Sequence, residues 1–177
     1  RNAYLTMKNQ SLYAKPCTPY ANEMIYSIRG TITHKGENFA VIECGGLGFK
    51  VFMHERALKS LGAKGESVKL FSHLQPRENA MELYGFLNEE ELRFFELLIS
   101  VSGVGPKSAL SILGISNLKE LSAAIKEGRP AALTRASGIG RKTAERIIIE
   151  LRGKVEAAKS GEVVKTMEAD ANILEAL

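Results

Sequence analysis

The feature that most constrains this chain is a near-duplicate. Ser102-Gly103-Val104-Gly105-Pro106-Lys107-Ser108-Ala109 returns as Ser137-Gly138-Ile139-Gly140-Arg141-Lys142-Thr143-Ala144. Each copy follows an apolar helical segment and leads into a second helix rich in Ala, Leu and Ile. Glycine on both sides of one apolar residue lets the backbone take φ > 0 and removes the Cβ that would hold a ligand off. A helix starting after such a turn presents N–H groups with no intrahelical partner, at the positive end of its dipole. A phosphate oxygen fits there, with Lys107, Arg141 and Lys142 at hand to add charge. One Gly-x-Gly turn before a helix is an ordinary packing device. Two of the same design, neither with an acid in the turn, read as a tandem phosphate-binding repeat.

Charge follows the repeat. The chain of 177 residues carries a formal net charge of +4. Between Leu98 and Gly153, Lys107, Lys119, Lys126, Arg129, Arg135, Arg141, Lys142, Arg146 and Arg152 face only Glu120, Glu127, Glu145 and Glu150. The positive excess sits where phosphate neutralisation would use it. The combination is the helix-hairpin-helix pattern of proteins that hold DNA by its backbone. On these residues a generic hairpin adaptor, binding DNA backbone without junction specificity, stays open as an alternative to any more specialised reading.

Upstream, the period of the apolar residues is two. Ile25, Ile28 and Ile32, then Phe39, Val41 and Ile42, mark two strands around His34-Lys35-Gly36-Glu37-Asn38. Gly45-Gly46-Leu47-Gly48 turns the chain into a third strand, Phe49 to Met53; lying between strands, it is no dinucleotide loop. A helical passage from Glu55 to Leu61 leads to a strand over Val68–Leu74. A hairpin tip at Pro76-Arg77-Glu78-Asn79 precedes the last strand, Met81–Phe86. Five short strands with one helical interruption predict an OB-type barrel. The period then changes: Asn88 caps a run of acids, Leu92, Phe95, Leu98 and Ile99 recur at helical spacing, and Asn117, Gly128 and Pro130 punctuate further helices. Thr143 to Val155 places Ala144, Ile147, Ile148, Leu151 and Val155 on one face.

The expected fold is therefore α+β and multidomain: a disordered extension over 1–23, a barrel domain over 24–86, a tandem helix-hairpin-helix domain over 87–156, and a linker with the start of a further helix over 157–177. No apolar run is long enough to span a membrane. Cys17 and Cys44 lack any CxxC or nearby His; Cys44 reads as a small core residue, and a reducing, cytoplasmic compartment is expected. The residue inventory argues against catalysis. The one Asp, Asp170, lies in the tail, no acid cluster faces the hairpins, and His34, His54 and His73 are scattered, so neither a hairpin glycosylase nor a metal nuclease is favoured. Gly138 to Thr143 fails as a P-loop because Arg141 intervenes and no strand precedes it. No cofactor or metal is expected.

Barrel strands opening Met24-Ile25-Tyr26-Ser27-Ile28-Arg29-Gly30, the strand end Leu83-Tyr84-Gly85-Phe86, and hairpins reading GVGPKSA and GIGRKTAERII occur in one order. That set, from Met24 to about Lys154, resembles the RuvA family, which binds four-way Holliday junctions. The resemblance implies an OB-fold followed by tandem hairpins, a homotetramer holding the junction open, a RuvB-type ring ATPase that drives branch migration, and a RuvC-type resolvase as a further partner. It implies DNA clamps at Gly103, Val104, Gly105 and Lys107, and at Gly138, Ile139, Gly140, Arg141 and Lys142. It also implies an acidic pin at the barrel's hairpin tip, where this chain has Glu78 but Asn79 in place of the second acid. The family's small C-terminal motor-binding domain would be represented only by its first turn or two, at Asn172–Leu177.

Overall fold

A computed structural model describes residues 25–155. The expectations for the N-terminal extension, for Cys17, and for the linker and terminal helix fall outside the described residues.

Five strands close into a barrel: β1 (Ser27–Lys35), β2 (Phe39–Cys44), β3 (Leu47–Phe52), β4 (Ser67–Arg77) and β5 (Ala80–Phe86). Their order around the barrel is β1-β2-β3-β5-β4, with β4 returning to β1. All pairs are antiparallel except β3 with β5, where Val51 lies opposite Leu83 and Phe52 opposite Tyr84. This is the expected OB-type barrel. The β2–β3 hairpin is set by Gly45 and Gly46, at φ 57° and 84°. Two successive left-handed residues match the twist of the flanking strands, and glycine reaches them without a Cβ clash. Alternation puts Ile28, Ile32, Ala40, Ile42, Val51 and Leu70 inside. Helix α1 (Glu55–Ser60) covers the barrel with Ala57 and Leu58. Its cap is His54, whose Nδ1 accepts the Ala57 N–H at 3.2 Å.

Two local expectations are corrected. The strand expected to stop at Leu74 continues through Pro76, paired with Met81, to Arg77, paired with Ala80. The tip is therefore the two residues Glu78 and Asn79, at the end of a long arm. Pro76 lacks an N–H, which a projecting two-stranded arm tolerates better than a central strand. Cys44 is half-buried at the barrel rim rather than in the core, and its thiol donates to the Arg29 carbonyl at 3.1 Å.

Helices follow: α2 (Glu89–Ile99), α3 (Pro106–Ile115), α4 (Leu118–Lys126), α5 (Pro130–Leu133) and α6 (141–155). Asn88 and Asn117 cap α2 and α4, accepting the N–H of Glu91 at 2.8 Å and of Glu120 at 2.9 Å. The Glu120 carboxylate takes the Ser116 hydroxyl instead of completing a reciprocal capping box. Past α4 the N–H groups of Gly128 and Arg129 return to the carbonyls of Ile125 and Ala124, which ends the helix on Gly128. Ala144, Ile147, Ile148, Leu151 and Val155 of α6 are buried, as their spacing predicts.

The barrel keeps its own core, and the end of β5 joins a second, helical one. Tyr84 and Phe86 from the end of β5 belong to the helical cluster, and Phe95 of α2 sits between them at ring centroid distances of 5.4 and 4.9 Å. Polar contacts line the same seam: the Tyr26 hydroxyl donates to Glu89 at 2.6 Å, and His54 Nε2 lies 3.6 Å from a Glu91 carboxylate oxygen. Tyr84 donates its hydroxyl to Glu82 at 2.8 Å, with the Arg77 guanidinium beside it. Burial, reinforced by the Glu82 charge, pushes the Tyr84 phenol up to about 12. A raised pKa means that the stabilisation from the neutral phenol is complete below pH ~10, the ordinary tyrosine value, and is lost as pH rises toward 12. Denaturant midpoints measured from pH 9 to 12 should therefore fall more steeply for the wild type than for Tyr84→Phe. Equal alkaline slopes would contradict this environment for Tyr84.

Candidate nucleic-acid interface

The two hairpin turns are built by the same bonds, shifted by 35 positions (102 to 137). Val101 N–H donates to Leu98 O at 3.1 Å, and Ala136 N–H to Leu133 O at 3.0 Å. Val104 N–H returns to Val101 O at 3.0 Å, and Ile139 N–H to Ala136 O at 3.2 Å. Ala109 N–H reaches Gly105 O, and Ala144 N–H reaches Gly140 O, both at 2.9 Å. Gly103 and Gly138 hold φ of 86° and 80°, the conformation that the repeat requires of glycine. The helices entering the turns differ: α2 has 11 residues and α5 only 4. The turns match nonetheless.

Within each turn the residues divide into two roles. Val104 and Ile139 are buried, and their N–H groups are used inside the turn. They offer a phosphate neither side chain nor donor, and they anchor the loop instead. Gly103, Gly105, Gly138 and Gly140 are exposed. Gly105 is the N-cap of α3, with no side chain capping it, and a Cβ built at Gly105 or Gly140 would meet nothing within 4 Å. Each second glycine thus opens onto free space beside a helix N-terminus whose first N–H groups are unused by the helix. Pro106 withholds one N–H from the first cradle, whereas Arg141 leaves its own in the second. The second cradle therefore has the fuller set of donors.

Charge completes both cradles. Lys107 and Lys142 occupy equivalent positions (107 to 142), both are exposed, and neither has an ion-pair partner among the described residues. Arg141 shares its Nε with Glu145 at 2.9 Å, but that pair is exposed and such pairs are worth only ~0.3–0.5 kcal/mol, so a phosphate can compete for it. Arg146 is already engaged, donating to the Ser102 carbonyl.

The barrel's arm ends where the resemblance implies an acidic pin. Glu78 and Asn79 are exposed at its tip, between Arg77 and Ala80. At the base, Arg77 Nε donates to Glu82 at 2.7 Å, and Glu82 also accepts from Tyr84. These bonds, Tyr84 first, with added attraction from Arg77 and Lys107, hold Glu82 below the usual carboxylate range. Arg77 is thereby neutralised at the arm's base, and Glu78 stands alone as the charge at the tip. Nothing in the sequence spacing marked Glu82 for this part; its partners come from β4 and from the neighbouring strand position that faces the helices. Tyr84 and Lys107 line one groove of ≈ 440 Å³ between barrel and α3, so the arm's base adjoins the first cradle.

His34, His54 and His73 do not converge, and among the described residues no group of three or more His, Cys, Asp or Glu could hold a metal. No helix among them is long and apolar enough to cross a membrane.

Known proteins share this combination of barrel and hairpins. Residues 24–85 match the RuvA N terminal domain, and residues 95–154 match the SAM-like helix-hairpin-helix tandem. Proteins named Holliday junction branch migration complex subunit RuvA are similar over most of the chain. That of Thermoanaerobacter sp. (strain X514) is 48% identical over 132 residues, covering 75% of this chain and 71% of the relative. That of Acetivibrio thermocellus is 41% identical over 155 residues, covering 84% and 77%. That of Dehalococcoides mccartyi (strain CBDB1) is 40% identical over 155 residues, covering 87% and 80%.

The open space at Gly140 permits a test that separates folding from binding. Gly140→Ala should leave the denaturation midpoint within about 1 kcal/mol of wild type and weaken DNA binding by filling the cradle. Gly138→Ala should destabilise by about 1–2 kcal/mol, because it forces a Cβ into the left-handed region and against Ser108 Oγ at 3.0 Å. Unchanged DNA affinity in Gly140→Ala would show that no phosphate enters there.

Proposed function

This chain belongs to the RuvA family, and we propose that it binds four-way Holliday junction DNA as the non-catalytic subunit of a branch migration complex. The observation that carries the proposal is the pair of matched cradles, each with an open glycine, a helix N-terminus and a lysine without an ion-pair partner among the described residues. Such a site recognises phosphates and carries no base readout, as suits a protein that must hold any sequence passing through a junction. Two cradles on one rigid unit grip the backbone at two places, and the arm bearing Glu78 adds a repulsive charge. Phosphates avoid a carboxylate, so a tip placed at a crossover would favour separated strands over a closed duplex stack.

The similar proteins are named as subunits of a complex, which supports a multi-subunit assembly here as well. In the proposed assembly four copies surround the junction, a RuvB-type ATPase supplies the work of migration, and a RuvC-type resolvase shares the junction. The chain itself needs no cofactor for this part. Its place of action is the cytoplasm, where bacterial DNA resides.

Phosphate neutralisation leaves a measurable trace. Removing one phosphate contact lowers the slope of log affinity against log salt by about one unit per subunit site. Lys107→Met and Lys142→Met should each weaken junction binding and make this slope shallower, in a filter-binding titration at salt concentrations from about 50 to 200 mM. Affinity and slope unchanged in both variants would refute the clamp assignment.

A further inference from the structure

Two hydrogen bonds cross between the hairpins, and they are equivalent positions of the repeat seen from opposite ends. Arg146 Nη1 donates to the Ser102 carbonyl at 2.9 Å. The Ser137 N–H donates to Ser111 Oγ at 2.8 Å. The 35-position shift that carries Ser102 onto Ser137 also carries Ser111 onto Arg146 (111 to 146). In each repeat, therefore, one position of the second helix grips the other repeat's turn. The residue gripped is in both cases the serine just before the positive-φ glycine. The opposite hairpin's helix also flanks each following glycine, from non-equivalent positions: a Cβ at Gly103 would lie 3.6 Å from Arg146 Nη1, and one at Gly138 would lie 3.0 Å from Ser108 Oγ.

We infer that Ser111 and Arg146 are positioning residues acting across the repeat, Arg146 of α6 setting the first cradle and Ser111 of α3 setting the second. The inference rests on the proposed clamp function. Each turn has its own internal bonds, which fix its shape but not its place relative to the other. A tie from the opposite hairpin fixes that place, because it spans the two units that must meet two phosphates together. Each tie also ends on the peptide groups that lead directly into the cradle: Ser102 is followed by Gly103 to Gly105, and Ser137 by Gly138 to Gly140. Chemistry suits the two ends differently. A carbonyl needs a donor, which the Arg146 guanidinium provides, and an N–H needs an acceptor, which the Ser111 hydroxyl provides. Arg146 thus serves DNA binding through a backbone carbonyl, which its Nη1 holds.

The test is a crossed double-mutant cycle on the full chain, with a four-way junction as ligand. Arg146→Met, Ser111→Ala, Lys107→Met and Lys142→Met are measured singly and in the four cross combinations, with denaturation midpoints to confirm folding. Arg146→Met should weaken binding about three- to tenfold, the range of an ordinary hydrogen bond, because solvent exposure offsets the gain from the donor's charge. That loss should shrink to within about 1.5-fold when Lys107 is already replaced, and persist in full when Lys142 is replaced. Ser111→Ala should show the reverse pattern, coupling to Lys142 and adding independently to Lys107. A merely structural role would weaken binding equally in both backgrounds. Coupling within the same repeat, or independence from both lysines, would overturn the inference while leaving the clamp assignment intact. No effect of either lysine replacement would overturn the clamp assignment, and the brace with it.

Discussion

The burial of two side chains, Val104 and Ile139, is what the proposed DNA-facing surface depends on. Each is the apolar residue between two glycines, and each is drawn into the helical core while its neighbours stay outside. Anchoring the middle of the turn forces the first glycine into a left-handed conformation and turns the second toward solvent at the start of a helix. A phosphate cradle is the consequence of that packing. Its donors are backbone groups, so the site needs few side chains, and hydrophobic burial holds it in shape before any ligand arrives. Such preorganisation lowers the ordering cost of binding.

The second dependency is the seam between barrel and helices. Phe95 packs on Tyr84 and Phe86, and Tyr84 reaches through Glu82 to Arg77 at the base of the arm. One continuous set of contacts therefore joins the helical core to the base of the arm, and the arm does not hang freely from the barrel. Glu82 has two effects there. It orients Arg77 and Tyr84, and its negative charge lies near enough to Lys107 to be felt by the first cradle. In the proposed clamp the first cradle is accordingly the less favourable to a phosphate on two counts, since it also lacks the N–H that Pro106 cannot supply.

Much of this was legible in the residue order, and the reason is local. Period-two runs, the Gly45-Gly46 turn, the Asn88 and Asn117 caps and the repeated Gly-x-Gly turns all depend on near neighbours along the chain. The barrel, the hairpins and the apolar face of α6 could be read from them. What could not be read depends on which distant residues the topology brings together. His54 gave no sign of capping α1, nor Arg146 of reaching Ser102, 44 positions earlier. Arg146 looked like one more free charge in a basic stretch. Strand β4 outran its expected end because an arm projecting from a barrel tolerates Pro76. Cys44 fell at the rim because the alternation that placed it inside continues to the last residue of β2, where the barrel wall ends. The family resemblance places Val104 and Ile139 among the DNA clamps, and their burial adds that their side chains anchor the turn.

In the proposed function, two matched backbone clamps and a charged arm together select a four-way junction. The most direct measurement is a salt-titrated gel shift comparing a four-way junction with a linear duplex of the same sequence, using the full 177-residue chain. The expected result is tighter binding to the junction across the titration, with affinity falling steeply as salt rises. Equal binding to junction and duplex would contradict the claim, and would leave a protein that grips DNA backbone without regard to its branching.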